Sequence, residues 1–195
     1  MTGFIMRCCS KPDLFAAARV FLLALLLASP SIAGADGIEV KSAELEAVDE
    51  TLVLKAELEI GLSPALEEAL NKGVPLNFVA EFELRKPRWY WLDEVIVTAQ
   101  QNIRLSYHAL TRQYQIKING QYRNFSSLIE ARQELGRLQD WPVVEKAWVK
   151  KRSAHIAGLR MRLDLAQLPK PLQLNALASK DWNLDSEWYR WNVNP

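Results

Sequence analysis

The sequence has few of the residues on which metal binding and disulfide formation depend. Of its 195 residues only two are cysteine and two are histidine, and the cysteines are the adjacent pair Cys8 and Cys9. A zinc site usually combines several such side chains at short spacing, and neither H-x-x-x-H nor H-E-x-x-H is present. We therefore predict no metal site and no structural disulfide.

The sequence also lacks an excess of charge of one sign and a cluster of glycines. The 24 basic residues nearly balance the 23 acidic ones, so the chain has no overall positive charge with which to hold a nucleic acid. Its eight glycines form no phosphate-binding loop, so we expect no nucleotide and no other cofactor. A hydrophobic content of 49% with 24% charged residues is ordinary for a soluble globular domain.

The amino-terminal region has the features of a secretory signal peptide. Basic residues precede an apolar run over residues 20–28, and small residues up to Ala35 follow it. The run has nine residues, whereas a helix that spans a bilayer needs about 20. We expect residues 1–35 to be removed, leaving residues 36–195 as a single periplasmic domain without cysteine and without a transmembrane segment.

Alternation of apolar and polar residues predicts that this domain is mainly β. The predicted strands cover residues 38–47, 51–60, 76–85, 95–99, 103–107, 113–118, 121–125 and 157–165. Asn119-Gly120 is a strong short-range signal for a hairpin between two of these strands. We predict an antiparallel β-sandwich, immunoglobulin-like in general architecture, with two or three short helices in its connections.

Capping residues mark where the short helices begin. Ser63-Pro64 predicts the start of a first helix, and Ser127 with a glutamate three residues later predicts a second. A third short helical stretch is predicted from Asp140 to Trp148. The two prolines of residues 169–171 predict an extended link instead, because neither can donate a hydrogen bond to a sheet.

Six segments carry a resemblance that covers nearly all of the predicted domain. They are GVPL at 73–76, RWYWLD at 88–93, LSY at 105–107, LTRQY at 110–114, LPKPL at 168–172 and ALASKDW at 176–182. In these segments the chain resembles an uncharacterised family of exported proteobacterial proteins, domain of unknown function 4390. The resemblance implies a Gram-negative periplasmic setting and a link to envelope sensing or two-component signalling, and it supplies no catalytic residues.

Patterns that could carry catalysis also have a plainer explanation. Ser106 and His108 share one face of a strand, but no G-x-S-x-G sequence accompanies them, which favours two polar residues on a solvated surface. Two carboxylate pairs, Asp93-Glu94 and Asp181 with Asp185, could suggest a glycosidase. Asp93 and Glu94 are neighbours and would point to opposite faces of a strand, so they cannot easily flank one bond. We predict that the protein is not an enzyme. The alternative, an envelope glycan hydrolase, would need two carboxyls about 5 to 10 Å apart in a groove.

Aromatic residues beside cations are the candidate binding feature. Arg85, Arg88, Trp89, Tyr90 and Trp91 lie within seven positions of one another. Such a mixture suits stacking on sugars, binding of anionic head groups or a protein interface, whereas the plainer explanation is that the rings belong to the core. We predict that these residues form the recognition surface of a noncatalytic binding or accessory protein whose partner is an envelope protein or glycan.

A second aromatic cluster lies near the carboxyl end. It contains Trp182, Trp188, Tyr189 and Trp191. Tyr189 and Trp191 share one face of a strand if this segment is extended, so we expect one set of rings to pack between the sheets and another to lie at the rim.

Overall fold

The computed structural model describes residues 37–88, 90, 93–149 and 154–193. The predicted signal peptide therefore lies outside the described residues, as do Trp89 and Trp91. The strands are β1 (Gly37–Val48), β2 (Thr51–Gly61), β3 (Leu76–Lys86), β4 (Glu94–His108), β5 (Gln113–Ile118), β6 (Gln121–Phe125), β7 (Arg137–Glu145), β8 (His155–Leu163) and β9 (Tyr189–Val193). The helices are α1 (Pro64–Asn71), α2 (Leu128–Leu135) and α3 (Lys170–Ala178).

The strands form two antiparallel sheets, which confirms the predicted β-sandwich. One sheet has three strands in the order β1-β2-β7, and the other has six in the order β6-β5-β4-β3-β8-β9. β3 therefore lies at the centre of the larger sheet, between β4 and β8. Its pairing with β8 sets Glu81 opposite Arg160, although 79 positions separate them in the sequence.

The core between the sheets is formed by every second residue of each strand. On β3, five alternate residues face inward and all are at most 1% exposed: Leu76, Phe78, Ala80, Phe82 and Leu84. Burying one such leucine or phenylalanine is worth about 1.5 to 3 kcal/mol. Tyr189 and Trp191 pack against this core together, with the Trp191 ring centroid 6.4 Å from that of Phe82, so their predicted shared face is confirmed.

Side-chain caps start the first two helices as predicted. The Ser63 hydroxyl accepts a hydrogen bond from the backbone N–H of Leu66 at 3.3 Å, and the Ser127 hydroxyl accepts one from Glu130 at 3.2 Å. Each cap satisfies a donor that has no partner within the helix itself. In the part of the chain that the structure describes, no helix is long and apolar enough to cross a membrane.

The helical stretch predicted from Asp140 to Trp148 is wrong, because most of it belongs to strand β7. Trp141 and Val144 pair with β2 and are buried in the core, so packing against the neighbouring strand outweighs the local capping signal. Asp140 adopts a φ of 52° at a shift in register, and only Lys146–Trp148 forms a single 3₁₀ turn.

Two further predicted boundaries differ from the structure. The extended link at residues 169–171 is wrong, since α3 begins at Lys170. Pro171 is tolerated there because the first residues of a helix need no intrahelical donor. The strands predicted at 95–99 and 103–107 are parts of one continuous strand, β4, whose polar residues between them still alternate between the two faces.

The Asn119-Gly120 turn joins β5 to β6 and confirms the predicted hairpin. Its φ values are 50° and 83°, which are the positive values that a two-residue type I′ turn requires. Ile118 and Gln121 pair across the turn, so the turn fixes the register between β5 and β6 at one edge of the larger sheet.

We expect Gly120→Val to lower the free energy of unfolding by about 1 to 3 kcal/mol, since a β-branched residue is strained at positive φ. No heavy atom lies within 4 Å of the position that a Cβ would occupy, so the loss would report backbone strain alone. Urea denaturation measures it, and Gly120→Asn is the matched control because asparagine tolerates this conformation. An unchanged free energy for the valine variant would contradict the turn's role.

Candidate functional site

The outer face of the six-stranded sheet is the candidate functional surface, and we call it the polar face. Its residues alternate along each strand with those of the core. Around the central strand it carries Asn77, Val79, Glu81, Glu83 and Arg85 of β3, Gln100, Asn102 and Arg104 of β4, Lys117 of β5, Arg160 and Arg162 of β8, and Arg190 of β9.

Glu81 is an acidic residue on this face whose carboxylate is almost buried. The residue is only 9% exposed, and it accepts hydrogen bonds from Nε of Arg160 at 3.0 Å and from Nε of Arg162 at 3.1 Å. Arg160 donates a second bond through Nη2 to the same carboxylate. A buried carboxylate is costly unless it is paired in this way.

Glu83 repeats the arrangement two residues further along β3. It is 6% exposed, and Nη2 of Arg85 donates to its Oε2 at 2.8 Å, while Nη2 of Arg190 lies 3.9 Å from its Oε1. Together with Arg160 and Arg162 these residues form what we call the arginine cluster. Four guanidinium groups lie around these two carboxylates, and Asp185 and Glu187 line the groove next to Arg160 and Arg190.

Trp188 covers one end of the arginine cluster. The guanidinium carbon of Arg160 lies 4.8 Å from the ring centroid and that of Arg190 lies 6.0 Å from it, so both cations contact the ring. Gly158 makes room for the indole, since a Cβ there would come within 3.2 Å of the ring and 3.0 Å of Glu83 Cγ. An open groove of about 500 Å³ lies beside the ring.

The Glu81 carboxyl is held in its ionised form. Burial by itself raises its pKa, but the hydrogen bonds from Arg160 and Arg162 and the charges of these arginines outweigh burial. The net result is a pKa below the ordinary value of 4.5. A general acid needs a raised pKa, so this carboxylate is suited to positioning arginines and not to donating a proton.

A second groove lies beside the arginine cluster, and we call it the amide groove. It has a volume of about 310 Å³, and the side chains that line it on the polar face are amides and cations. They are Asn77, Gln100, Asn102, Arg104, Lys117 and Gln167. No acidic residue is among the described residues that line this groove.

Of the five residues predicted to bind, Arg85 is the one that the structure places in the arginine cluster. Arg88 follows the end of β3 and forms an ion pair with Glu94 at the start of β4. Tyr90 is 66% exposed, so at least one of the three rings of this segment is accessible to a partner. Trp89 and Trp91 lie outside the described residues, and the binding role of the segment stays a prediction.

Ser106 and His108, the catalytic candidates of the sequence, form contacts with the neighbouring strand β5. The Ser106 hydroxyl donates to the backbone carbonyl of Gln115 at 3.4 Å, and His108 Nε2 lies 3.1 Å from the side-chain oxygen of the same residue. Asp185 differs, because its backbone forms an isolated bridge with Arg162 while its side chain lines the groove beside Trp188. Among the described residues, no group of three histidine or acidic side chains could hold a metal ion.

The outer face of the smaller sheet has the opposite charge. On β1 and β2 it carries five glutamates and two lysines: Glu39, Glu44, Glu46, Glu57 and Glu59, with Lys41 and Lys55. The charges of the domain are therefore separated between its two outer faces. The near-zero net charge of the sequence gives no indication of this separation, and it hides the basic character of the polar face.

Sequence reasoning missed most of the arginine cluster. Alternation alone places Glu81 and Glu83 on the polar side of β3, and Arg160 and Arg162 on the polar side of β8. Nothing local indicates that these two strands are neighbours. The signal that could have been used is the match of two alternate glutamates with two alternate arginines, since opposite charges commonly face each other across paired strands.

A comparison with family models assigns this domain. The model "Domain of unknown function (DUF4390)" matches residues 35–192. The chain belongs to the DUF4390 family. The matched residues include both sheets, so the polar face is part of the DUF4390 domain itself. No curated protein and no solved structure matches the chain.

We expect Glu81→Gln to lower the stability of this DUF4390 domain by about 1 to 2 kcal/mol at pH 7, because it removes the charge that pairs two arginines. A carboxyl whose pKa is lowered in the folded state stabilises the fold above its unfolded-state pKa, and it loses that effect as pH falls through the folded-state value. The difference between wild type and variant should therefore shrink below about pH 4.

Urea denaturation at pH 7, 5 and 3.5 measures this difference. Glu44→Gln, on the exposed outer side of β1, is the matched control and should stay within about 0.5 kcal/mol of wild type at each pH. A Glu81→Gln deficit that is the same at pH 3.5 as at pH 7 would mean that the carboxylate charge does not stabilise the fold.

Proposed function

We propose that this protein is a noncatalytic periplasmic binding or accessory protein that holds an anionic envelope partner on its polar face. The observation that carries the proposal is the arginine cluster, in which two nearly buried glutamates hold four arginines. Arginine presents five N–H donors in a planar fork that matches carboxylate and phosphate groups. Arg162 uses Nε for Glu81, and its terminal nitrogens have no hydrogen-bond partner among the described residues.

The glutamates favour binding by fixing the arginines in advance. A free arginine side chain loses rotamer freedom when it binds a ligand, and this loss weakens affinity. Arg160 donates through two nitrogens to Glu81. Arg85 donates through Nη2 to Glu83, and its Nε lies 2.7 Å from the other carboxylate oxygen as an ion pair. Much of the entropy that these side chains would lose on binding is therefore already lost when the protein folds. Arg104 and Lys117 add to the cations of the arginine cluster, so the polar face as a whole favours an anionic partner.

We propose that the predicted segment, with Arg85, Arg88, Trp89, Tyr90 and Trp91, belongs to the same binding surface. Arg85 belongs both to the segment and to the arginine cluster, which makes the two regions continuous. The exposed ring of Tyr90 has the properties of an interface anchor, since it combines a large apolar area with a polar tip.

Export is supported by the signal-peptide features of residues 1–35, and the periplasm of a Gram-negative proteobacterium as the destination rests on the family resemblance. The link to envelope sensing or two-component signalling rests on the family resemblance. The alternative of a glycan hydrolase gains no support from Glu81, because its lowered pKa is opposite to what an acid catalyst needs. The carboxyls that could serve a hydrolase are those of Asp185 and Glu187, which line the groove beside Trp188.

Charge reversal on the polar face tests the proposal. We expect Arg104→Glu with Arg190→Glu to weaken binding of the mature protein to washed envelope fragments by about tenfold or more, the equivalent of about 1.4 kcal/mol. Lys41→Glu with Lys55→Glu is the matched control, because it changes the net charge equally on the other sheet. Co-sedimentation measures binding, and urea denaturation verifies that both variants fold.

Equal weakening by both double variants would mean that net charge alone drives binding, and the proposal would then fail. Release of soluble sugar from the fragments by wild type, but not by Asp185→Asn with Glu187→Gln, would instead support the hydrolase.

Tyr90→Ala tests the segment in the same assay. We expect binding to weaken by about fivefold, the loss of about 1 kcal/mol typical of an exposed anchor, in a variant that urea denaturation shows to be folded. Leu110→Ala is the control, since that side chain is fully exposed in the turn between β4 and β5. Binding by the Tyr90 variant that equals wild type would remove this residue from the proposed surface.

A further inference from the structure

A groove lies between the two sheets, on the side of the larger sheet that is opposite to the polar face, and we call it the inter-sheet groove. β7 packs over β4, so β5 and β6 extend beyond the edge of the smaller sheet. α2 covers part of this extension, and a groove of about 240 Å³ remains beside it. Glu134 of α2 lines the groove and forms ion pairs with Arg123 of β6 and Arg137 of β7.

Gln101 of β4 is a buried amide that points into this groove. It belongs to the core-facing row of β4 with Ala99 and Ile103, and it pairs with the buried Ala80 of β3. Gln101 is only 6% exposed, and its side chain has no hydrogen-bond partner among the described residues. A buried amide without a partner lowers the stability of the fold. An occupant of the groove that exchanges hydrogen bonds with it would remove this cost.

The surface beside Gln101 is aliphatic. Ile116 and Ile118 of β5 and Leu138 of β7 line the groove, and no aromatic residue is among the described residues that line it. A saccharide would bury hydroxyl groups against these side chains without hydrogen bonds, which is costly. An aliphatic group of a ligand would instead gain free energy by leaving water.

The charges around the groove balance one another. Two cations and two anions line it: Arg123, Arg137, Glu134 and Asp140. Just outside, Glu57 pairs with Arg137 across β2 and β7, and the charge of Lys55 interacts with that of Asp140. The surroundings therefore have no excess of either sign. A ligand with a net charge gains little there, whereas a zwitterion finds an opposite charge for each of its ends.

A bulge in β7 brings Asp140 to the groove. At this point β7 has two residues, Gln139 and Asp140, opposite Lys55 alone of β2, and Asp140 adopts a φ of 52°. Such an extra residue redirects a side chain. Arg137 and Asp140 are three positions apart, which is about 10 Å along a strand. An extended tripeptide spans about 10 to 11 Å, so its two charged ends match this separation.

We propose that the inter-sheet groove binds a short peptide with free termini and an aliphatic side chain. A peptide group offers one N–H and one C=O, which complement the donor and the acceptor of the Gln101 amide. The aliphatic side chain packs on Ile116, Ile118 and Leu138, and the charged ends lie at the rim. This site is separate from the polar face and does not rest on the proposed function.

Calorimetric titration of the mature protein with the tripeptide alanyl-valyl-alanine tests the inference. The comparison probes are the same tripeptide with acetylated and amidated ends, and free valine. We expect the tripeptide to bind about tenfold more tightly than either, because only it combines peptide groups with two charged ends at the matching separation. Arg104→Glu with Arg190→Glu, on the polar face, should leave this binding unchanged.

Gln101→Leu should weaken tripeptide binding by about tenfold and raise the urea midpoint, because leucine has a similar size and leaves no buried amide unpaired. Gln100→Leu is the matched control and should change neither quantity, since this exposed neighbour faces the other side of the sheet. Asp140→Asn should remove the advantage of free over blocked termini. Asparagine tolerates a positive φ, and the position is exposed, so this variant remains decisive if Gln101→Leu does not fold.

A tripeptide that binds no more tightly than valine, or no more tightly than its blocked form, would overturn the inference. Unchanged binding by Gln101→Leu together with a lowered urea midpoint would mean that ordered water alone satisfies the amide, and would overturn it as well. Weakening by the polar-face double variant would place the peptide elsewhere. Each of these results leaves the binding of envelope fragments, and with it the proposed function, untouched.

Discussion

The burial of two ionised carboxylates on the central strand of the larger sheet is the constraint on which the polar face depends. β3 is covered on both sides, by the core within the sandwich and by arginines and Trp188 outside it. Glu81 and Glu83 cannot stay charged there without partners. The partners must come from β8, β9 and β3 itself, and bringing them together creates a basic surface.

The separation of charge between the two sheets shows why net charge is a poor guide to partners. A chain with 24 basic and 23 acidic residues has little overall attraction for an anion. Folding places glutamates on the outer side of β1 and β2 and arginines on the outer side of β8 and β9. Because salt screens charges beyond the Debye length of about 8 Å, a ligand responds to the charges near its site and not to the net charge of the protein.

Features set by residues close in sequence could be predicted, and features set by distant strands could not. The Ser63 and Ser127 caps and the Asn119-Gly120 turn involve partners within three positions, so the sequence pattern contained all the information needed. Strand β7 was mistaken for a helix because the partners of Trp141 lie on β2, about 90 positions away. Of the arginine cluster only Arg85 was identified, since its position follows from β3 alone.

Stability alone does not account for the composition of the arginine cluster. The electrostatic attraction within a buried ion pair exceeds the free-energy cost of desolvating the two charges by little. Two arginines would suffice to neutralise Glu81 and Glu83. Arg162 and Arg190 add guanidinium groups whose mutual repulsion costs further free energy, although Asp185 and Glu187 in the groove beside Trp188 offset part of it. Gly158 adds to this cost, because a glycine within a strand weakens the sheet, yet only a residue without a Cβ leaves room for Trp188 beside Arg160. A bound anion would relieve the remaining repulsion, and this is the physical reason for proposing that the polar face binds a ligand.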